Sequence, residues 1–126
     1  MSTCTATLLP DLPAAVLWWA HDVQRADVMP AFRHLDTLIS MSATPLYVLV
    51  DLREKPTFPL TDTLRGALDG PFRNPNLAEW LVVGSTPLAQ TIGRTLSAIT
   101  RRNNIRWFKT LEAAMEFLSA AAHGAK

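Results

Sequence analysis

The chain has 126 residues and a formal charge of +1; 48% of its residues are apolar and 18% are charged. This composition predicts one globular domain with a hydrophobic core and argues against disorder. The single cysteine, Cys4, excludes intrachain disulfides and cysteine-based zinc sites, and it indicates a reducing, cytoplasmic setting. The longest apolar run, residues 14–20, is far shorter than the roughly 18 residues of a membrane-spanning helix, so we expect no membrane anchor.

Two strands and a helix are predicted at the start of the chain. Residues 3–9 and 14–23 are β-leaning runs separated by a turn with two prolines, which predicts an antiparallel hairpin. Asp27 is placed to cap the following helix, whose first turn holds Pro30. The helix is expected to end near Ser42. Its buried face is predicted from an apolar stripe at helical spacing, made of Val28, Phe32, Leu35, Leu38 and Ile39.

The middle of the chain is predicted to hold the central strand and a short helix. Residues 46–50 are apolar without interruption, which is typical of a strand covered on both faces. After a polar segment, Thr61 or Asp62 is placed to cap a short helix that ends at Gly70 and Pro71.

Strands and helices continue to alternate in the second half. Residues 80–83 are predicted to form a buried strand, and residues 105–108 a last short strand. Thr86 is expected to cap the helix between them, and Thr110 the final helix. The intervening helix is expected to end with a left-handed residue at Asn103 or Asn104. Four apolar side chains are predicted to place that helix on the sheet: Leu88, Ile92, Leu96 and Ile99.

The predicted element order is ββαβαβαβα. Strands that alternate with helices are joined by right-handed crossovers and form a largely parallel sheet. The sequence therefore predicts an α/β fold: a mostly parallel central sheet with an N-terminal antiparallel hairpin and helices on the sheet faces.

Three segments carry a resemblance to a known family: residues 47–52 (YVLVDL), 58–62 (FPLTD) and 106–114 (RWFKTLEAA). With the element order, they resemble the STAS-like or SpoIIAA-like domains, which are relatives of the SpoIIAA anti-sigma-factor antagonist. The resemblance covers nearly the whole chain and implies one STAS-like domain over residues 1–126. It implies a non-enzymatic regulatory or interaction module that docks a protein through the loop and helix after the central strand.

The resemblance also implies a modification site. In partner-switching members of the family, a serine or threonine at the start of the helix after the central strand is phosphorylated. The phosphate controls docking to a kinase-like anti-sigma factor, which is the partner class that the resemblance suggests. Thr61 is the residue that lines up there, with Asp62 beside it. A helix cap is the alternative role for Thr61, because threonine caps many helices.

A second function follows from a departure in this segment. Leu60 stands where the family's Asp-Ser-Ser-Gly-Leu type signature has its acid, and residues 63–65 replace its glycine-containing turn. A broader SpoIIAA-like group keeps the fold without the switch, and some of its members are thought to bind small apolar molecules. The segment at residues 110–114 is more similar to that group. A carrier or sensor of a small apolar ligand is therefore the alternative function.

Asp51 and Arg53 are candidate strand-end binding residues. Asp51 lies at the carboxyl end of the predicted central strand, where open α/β sheets bind ligands, and Arg53 lies on the same side by its two-residue spacing. The pair can polarise a substrate or form an ion pair that holds the loop. No second acid follows at the DxD spacing of strand-end nucleophiles, which favours the ion pair.

Four aromatic residues are candidates for an apolar pocket or a subunit interface. Trp18 and Trp19 are consecutive on a predicted strand and point to opposite faces. If one enters the core, the other contacts a helix, a ligand or a second subunit, unless both are covered by core packing. Phe32 or Phe58 can complete a pocket wall. The low charge and four tryptophans also favour a homodimer.

The sequence indicates no metal, no cofactor and no enzymatic activity. The three histidines lack metal-site spacing, and the sequence assembles no nucleophile–base pair or paired carboxylates. The isoelectric point of about 8.0 lies below the value of about 9 typical of nucleic-acid-binding domains. A basic run is either a patch for an acidic partner or a solvated face; it comprises Arg94, Arg101, Arg102, Arg106 and Lys109.

Overall fold

The computed structural model describes residues 2–57, 59–84 and 86–124. The strands are β1 (Cys4–Leu8), β2 (Ala14–Trp19), β3 (Leu46–Asp51), β4 (Leu77–Val83) and β5 (Ile105–Phe108). The helices are α1 (Arg25–Met41), α2 (Leu60–Asp69), α3 (Pro87–Thr100) and α4 (Leu111–Gly124), and one turn of 3-10 helix spans Pro71–Arg73. The predicted α/β class and the order ββαβαβαβα are confirmed.

The five strands form one sheet in the order β1-β2-β3-β4-β5. β1 and β2 pair antiparallel, and all other neighbours pair parallel. The prediction of an opening hairpin is therefore confirmed, and β3 is the central strand. Because β2 to β5 run in the same direction, their carboxyl ends meet at one edge of the sheet, which is the edge that binds ligands in open α/β sheets.

Two apolar cores lie on opposite faces of the sheet. The larger core joins the sheet to α1, α2 and α3, whereas α4 covers the other face through Ala114 and Leu118. In β3, Val48 belongs to the first core and Leu49 to the second, as the uninterrupted apolar run predicts. Among the described residues, no helix is both long and apolar enough to cross a membrane.

The prediction that Asp27 caps α1 is wrong. α1 begins at Arg25 after Gln24, and Asp27 lies inside its first turn. The Asp27 carboxylate accepts hydrogen bonds from the backbone N–H and the hydroxyl of Thr3, at 2.8 and 2.7 Å. These bonds lower the pKa of Asp27 and tie the helix to the segment before β1. β2 also ends at Trp19 rather than at residue 23 as predicted. Trp19 is the residue that pairs with Cys4, the first residue of β1.

The packing face of α3 is rotated from the predicted stripe. Ile92 and Leu96 are buried as expected, but Leu88 and Ile99 are exposed. The small residues Ala89 and Gly93 complete the buried face, because they allow the helix to approach the sheet closely; the buried set is Ala89, Ile92, Gly93 and Leu96. The left-handed residue after α3 is Arg101, with φ of 58°, rather than Asn103 or Asn104.

Candidate functional site

Asp51 and Arg53 form a bidentate ion pair at the carboxyl edge of the sheet. Arg53 Nε donates to Asp51 Oδ1 at 2.9 Å, and Arg53 Nη2 donates to Oδ2 at 2.8 Å. The backbone N–H of Arg53 also donates to Oδ1, at 3.1 Å. The carboxylate is buried while the arginine remains exposed. This geometry is that of an ion pair that holds the turn after β3, and it occupies both carboxylate oxygens.

The ion pair controls the protonation of Asp51. Hydrogen bonds from the Arg53 side chain lower the pKa of Asp51 and outweigh the opposing effect of burial. The ionised form therefore stabilises the folded chain above the pKa of an unfolded aspartate, about 3.9. This contribution is lost as the pH falls through the lower pKa of the folded state.

Arg53→Gln is expected to shift acid unfolding to higher pH, because it removes the groups that lower the pKa of Asp51. At pH 7 the free energy of unfolding should fall by about 1 kcal/mol, a modest value because the arginine is exposed. Urea unfolding across pH 2–7 measures the effect, and the difference from the unmodified chain should shrink once Asp51 is protonated in both proteins. Arg65→Gln is the control, since Arg65 is exposed and forms no ion pair in the described part of the chain. Equal acid transitions in the two variants would contradict the prediction.

The start of α2 differs from the prediction that Thr61 or Asp62 caps it. α2 begins at Leu60, so both residues lie in its first turn, and Pro59 is the capping residue without a side-chain hydrogen bond. The helix starts earlier because the Pro59 carbonyl already accepts a hydrogen bond from the Thr63 N–H, at 2.9 Å. The Asp62 carboxylate is instead paired with Arg25, which links the first turns of α1 and α2.

Thr61 is exposed, and its hydroxyl has no hydrogen-bond partner among the described residues. Other threonines have structural roles: Thr86 and Thr110 cap α3 and α4, and the hydroxyl of Thr91 donates to a carbonyl four residues earlier in its helix. Thr61 has neither role.

A shallow groove surrounds Thr61. It has a volume of about 280 Å³, and we call it the α2 groove; its lining residues are Arg25, Pro59, Leu60, Thr61 and Asp62. Leu60 is 45% exposed there. Leu88, another exposed leucine, lies in the first turn of α3, which also begins at the carboxyl edge of the sheet. The α2 groove thus combines an exposed apolar side chain, an ion pair and a free hydroxyl.

Two of the four candidate aromatic residues, Trp19 and Phe32, come together in the structure. Trp19 is 1% exposed in the larger core and contacts Phe32 edge-to-face, with ring centroids 5.9 Å apart. Trp18 is half-buried on the opposite face of β2. Because β1 covers the outer side of β2, neither tryptophan lies on an edge strand. Phe58 lies outside the described residues.

Trp19 and Phe32 line an apolar cavity of about 70 Å³ between the sheet and the three-helix layer. Phe72 and Trp80 stack against each other in the same wall, with centroids 5.6 Å apart. Trp19 and Phe32 were predicted as candidates for a pocket or an interface, whereas the part of the wall made by α3 and β5 was not predicted. This part of the wall includes Gly93, Ile105 and Trp107. Gly93 faces the cavity because the buried face of α3 is rotated from the predicted stripe, and no local pattern predicts that rotation.

Two of the five residues of the basic run make contacts within the fold. Arg102 donates hydrogen bonds to the carbonyls of Phe72 and Asn74. Arg106 pairs with Glu79 and lies over the ring of Phe117, 4.8 Å from its centroid. In the described part of the chain, no group of three or more metal-ligating side chains comes together.

No protein-family model matches this chain, and no curated protein is significantly similar to it in sequence.

Proposed function

We propose that the chain is a non-enzymatic regulatory or interaction module, as the resemblance to STAS-like domains implies, and that it docks a protein partner at the α2 groove. The free, exposed hydroxyl of Thr61 carries this proposal. The capping role that was the alternative for Thr61 is not present in the structure. The exposed Leu60 supplies an apolar anchor, and the Arg25–Asp62 pair supplies charges beside it.

Phosphorylation of Thr61 would change this surface strongly. The N–H groups of Leu60, Thr61 and Asp62 precede the first intrahelical hydrogen bond, and the capping proline provides no side-chain acceptor for them. A phosphate on Thr61 would lie near these donors and near the positive end of the helix dipole. It would also compete with Asp62 for Arg25. The partner that fits such a switch is a kinase-like protein, and a kinase-like anti-sigma factor is the class that the resemblance suggests.

Thr61→Glu is expected to reduce capture of the partner at least tenfold, because it places a charge next to Leu60 and Asp62. Affinity capture from the native cells, with quantitative mass spectrometry, compares the unmodified chain, Thr61→Ala, Thr61→Glu and Thr91→Glu. Thr91→Glu is the control, since Thr91 is an exposed helical threonine outside the α2 groove. A partner lost only with Thr61→Glu, together with phosphate mapped to Thr61, supports the proposal.

If both Thr61→Ala and Thr61→Glu bind like the unmodified chain in every binding assay, regulation by phosphorylation of Thr61 is excluded. Native mass spectra of the same samples also report the subunit number, and a homodimer is the expected state.

A carrier or sensor of a small apolar ligand is the second candidate function, and the 70 Å³ cavity favours it. An engineered apolar cavity of about 150 Å³ binds benzene, so this cavity has room for roughly half of such a ligand. A non-covalent adduct that appears in native mass spectra and is lost on denaturation would support this candidate. Docking at the α2 groove predicts no such adduct.

A further inference from the structure

We propose that the apolar cavity is the inner part of a binding site for a short-chain carboxylate, whose charged group binds Arg94 on the surface. The inference rests on the second candidate function and names its ligand class and the residues that select it. Three observations support it: residues that line both of two voids, an arginine with no carboxylate partner among the described residues, and the sizes of the voids.

The cavity shares a wall with a groove on the surface. The groove has a volume of about 220 Å³ and lies along α3 and the start of β5. Gly93, Ile105 and Trp107 line both voids, so these three residues form the wall between them. The groove is completed by Arg94, Ser97 and Asn103.

Trp107 is the part of this wall that can move. It lies on the edge strand β5, and the residue is 40% exposed. Its indole lies against Gly93, where an added Cβ would be only 3.0 Å from Cζ2 of the ring. The indole can rotate outward without breaking a strand pair, because side-chain rotation leaves the ladder between β4 and β5 intact. Such a rotation joins the cavity to the groove.

Arg94 makes the groove selective for an anion. Within the described residues, Arg94 has no carboxylate partner, and no Asp or Glu lines the groove. Ser97 and Asn103 add neutral hydrogen-bond donors beside it. A carboxylate in the groove can therefore form a charge-assisted pair with the guanidinium.

The sizes of the voids limit the length of the ligand. A cavity of about 70 Å³ holds roughly three carbon atoms, by comparison with benzene in an engineered cavity of about 150 Å³. The groove then accommodates the carboxylate and the carbon next to it. Pentanoate has this length, and 1-pentanol matches its chain but lacks the charge.

Titration of the ¹⁵N-labelled chain with pentanoate and with 1-pentanol tests the proposal. Pentanoate should shift amides of cavity residues such as Val82 and Ile92 together with those of the groove, and it should bind more tightly than 1-pentanol. Arg94→Gln should weaken pentanoate at least fivefold and leave 1-pentanol unchanged. Arg101→Gln, an exposed arginine outside the groove, should bind both compounds like the unmodified chain. Dispersed ¹H–¹⁵N spectra show that each variant is folded.

The outcomes distinguish the inference from the function on which it rests. Equal binding of pentanoate and 1-pentanol, with cavity shifts, would keep the apolar carrier but overturn the carboxylate site. Shifts confined to surface residues around Arg94 would mean adventitious anion binding only and would also overturn it. The absence of cavity shifts with both compounds would overturn the inference and the carrier function together. None of these results bears on docking at the α2 groove.

Discussion

Trp19→Ala is expected to lower the free energy of unfolding by about 3–5 kcal/mol, which is the range for removing a large buried aromatic side chain. Trp19 is among the largest fully buried side chains, and it contacts Phe32 on α1. Its loss enlarges the existing cavity, and the side chains around the cavity lose their packing contacts with the indole. Urea denaturation followed by circular dichroism measures the change from the transition midpoint at constant m-value.

Trp18→Ala is the matched control for this prediction. The two residues are adjacent and identical, but Trp18 is only half-buried on the opposite face of β2. We expect a loss of about 1–2 kcal/mol, because less apolar surface returns to water. Equal losses for the two variants would show that the assignment of Trp19 to the core is wrong.

Gly84→Ala is expected to lower the free energy of unfolding by about 2–4 kcal/mol, since it combines backbone strain with a steric clash. Gly84 follows β4 with φ of 85°, a left-handed conformation that alanine adopts only at a cost. An added Cβ would also lie 3.0 Å from the carbonyl carbon and oxygen of Leu52. These are backbone atoms next to the Asp51–Arg53 turn, so they cannot move aside cheaply. Thermal and urea unfolding both measure the change.

Gly93→Ala provides the control for Gly84→Ala. Its added Cβ also meets an atom at 3.0 Å, but that atom belongs to the movable indole of Trp107. Gly93 is inside α3, where alanine is favoured over glycine by about 1 kcal/mol. The net change should therefore stay within about 1 kcal/mol. If Gly84→Ala were as stable as Gly93→Ala, backbone strain at Gly84 would be excluded.

Several features that depend only on neighbouring residues were predicted correctly. Residues 46–50 are apolar without interruption, and β3 is buried on both faces at the centre of the sheet. Thr86 accepts a hydrogen bond from the Ala89 N–H, and Thr110 accepts one from the Ala113 N–H, as helix caps do. Both contacts span three residues, so the local rules of helix capping suffice to predict them.

Two helix-cap predictions failed because a distant side chain binds the predicted cap or because the helix begins earlier. Aspartate is a residue type that often caps helices, but the carboxylate of Asp27 accepts a hydrogen bond from Thr3, 24 positions away in the chain. Asp62 likewise pairs with Arg25, 37 positions away. Thr61 lies in the first turn because α2 begins at Leu60. Propensity alone cannot distinguish a capping side chain from one that is held by a remote partner.

The sequence by itself determined the order of strands and helices and the α/β class, because both follow from the spacing of apolar residues along the chain. Only the tertiary structure decided that Trp19, rather than Trp18, enters the larger core. The two residues have the same hydrophobicity, and the choice depends on which face of β2 is covered by α1. The tertiary structure also determined the position of the cavity and the contact of Trp107 with its wall. Both arise where Gly93 lets α3 approach β5.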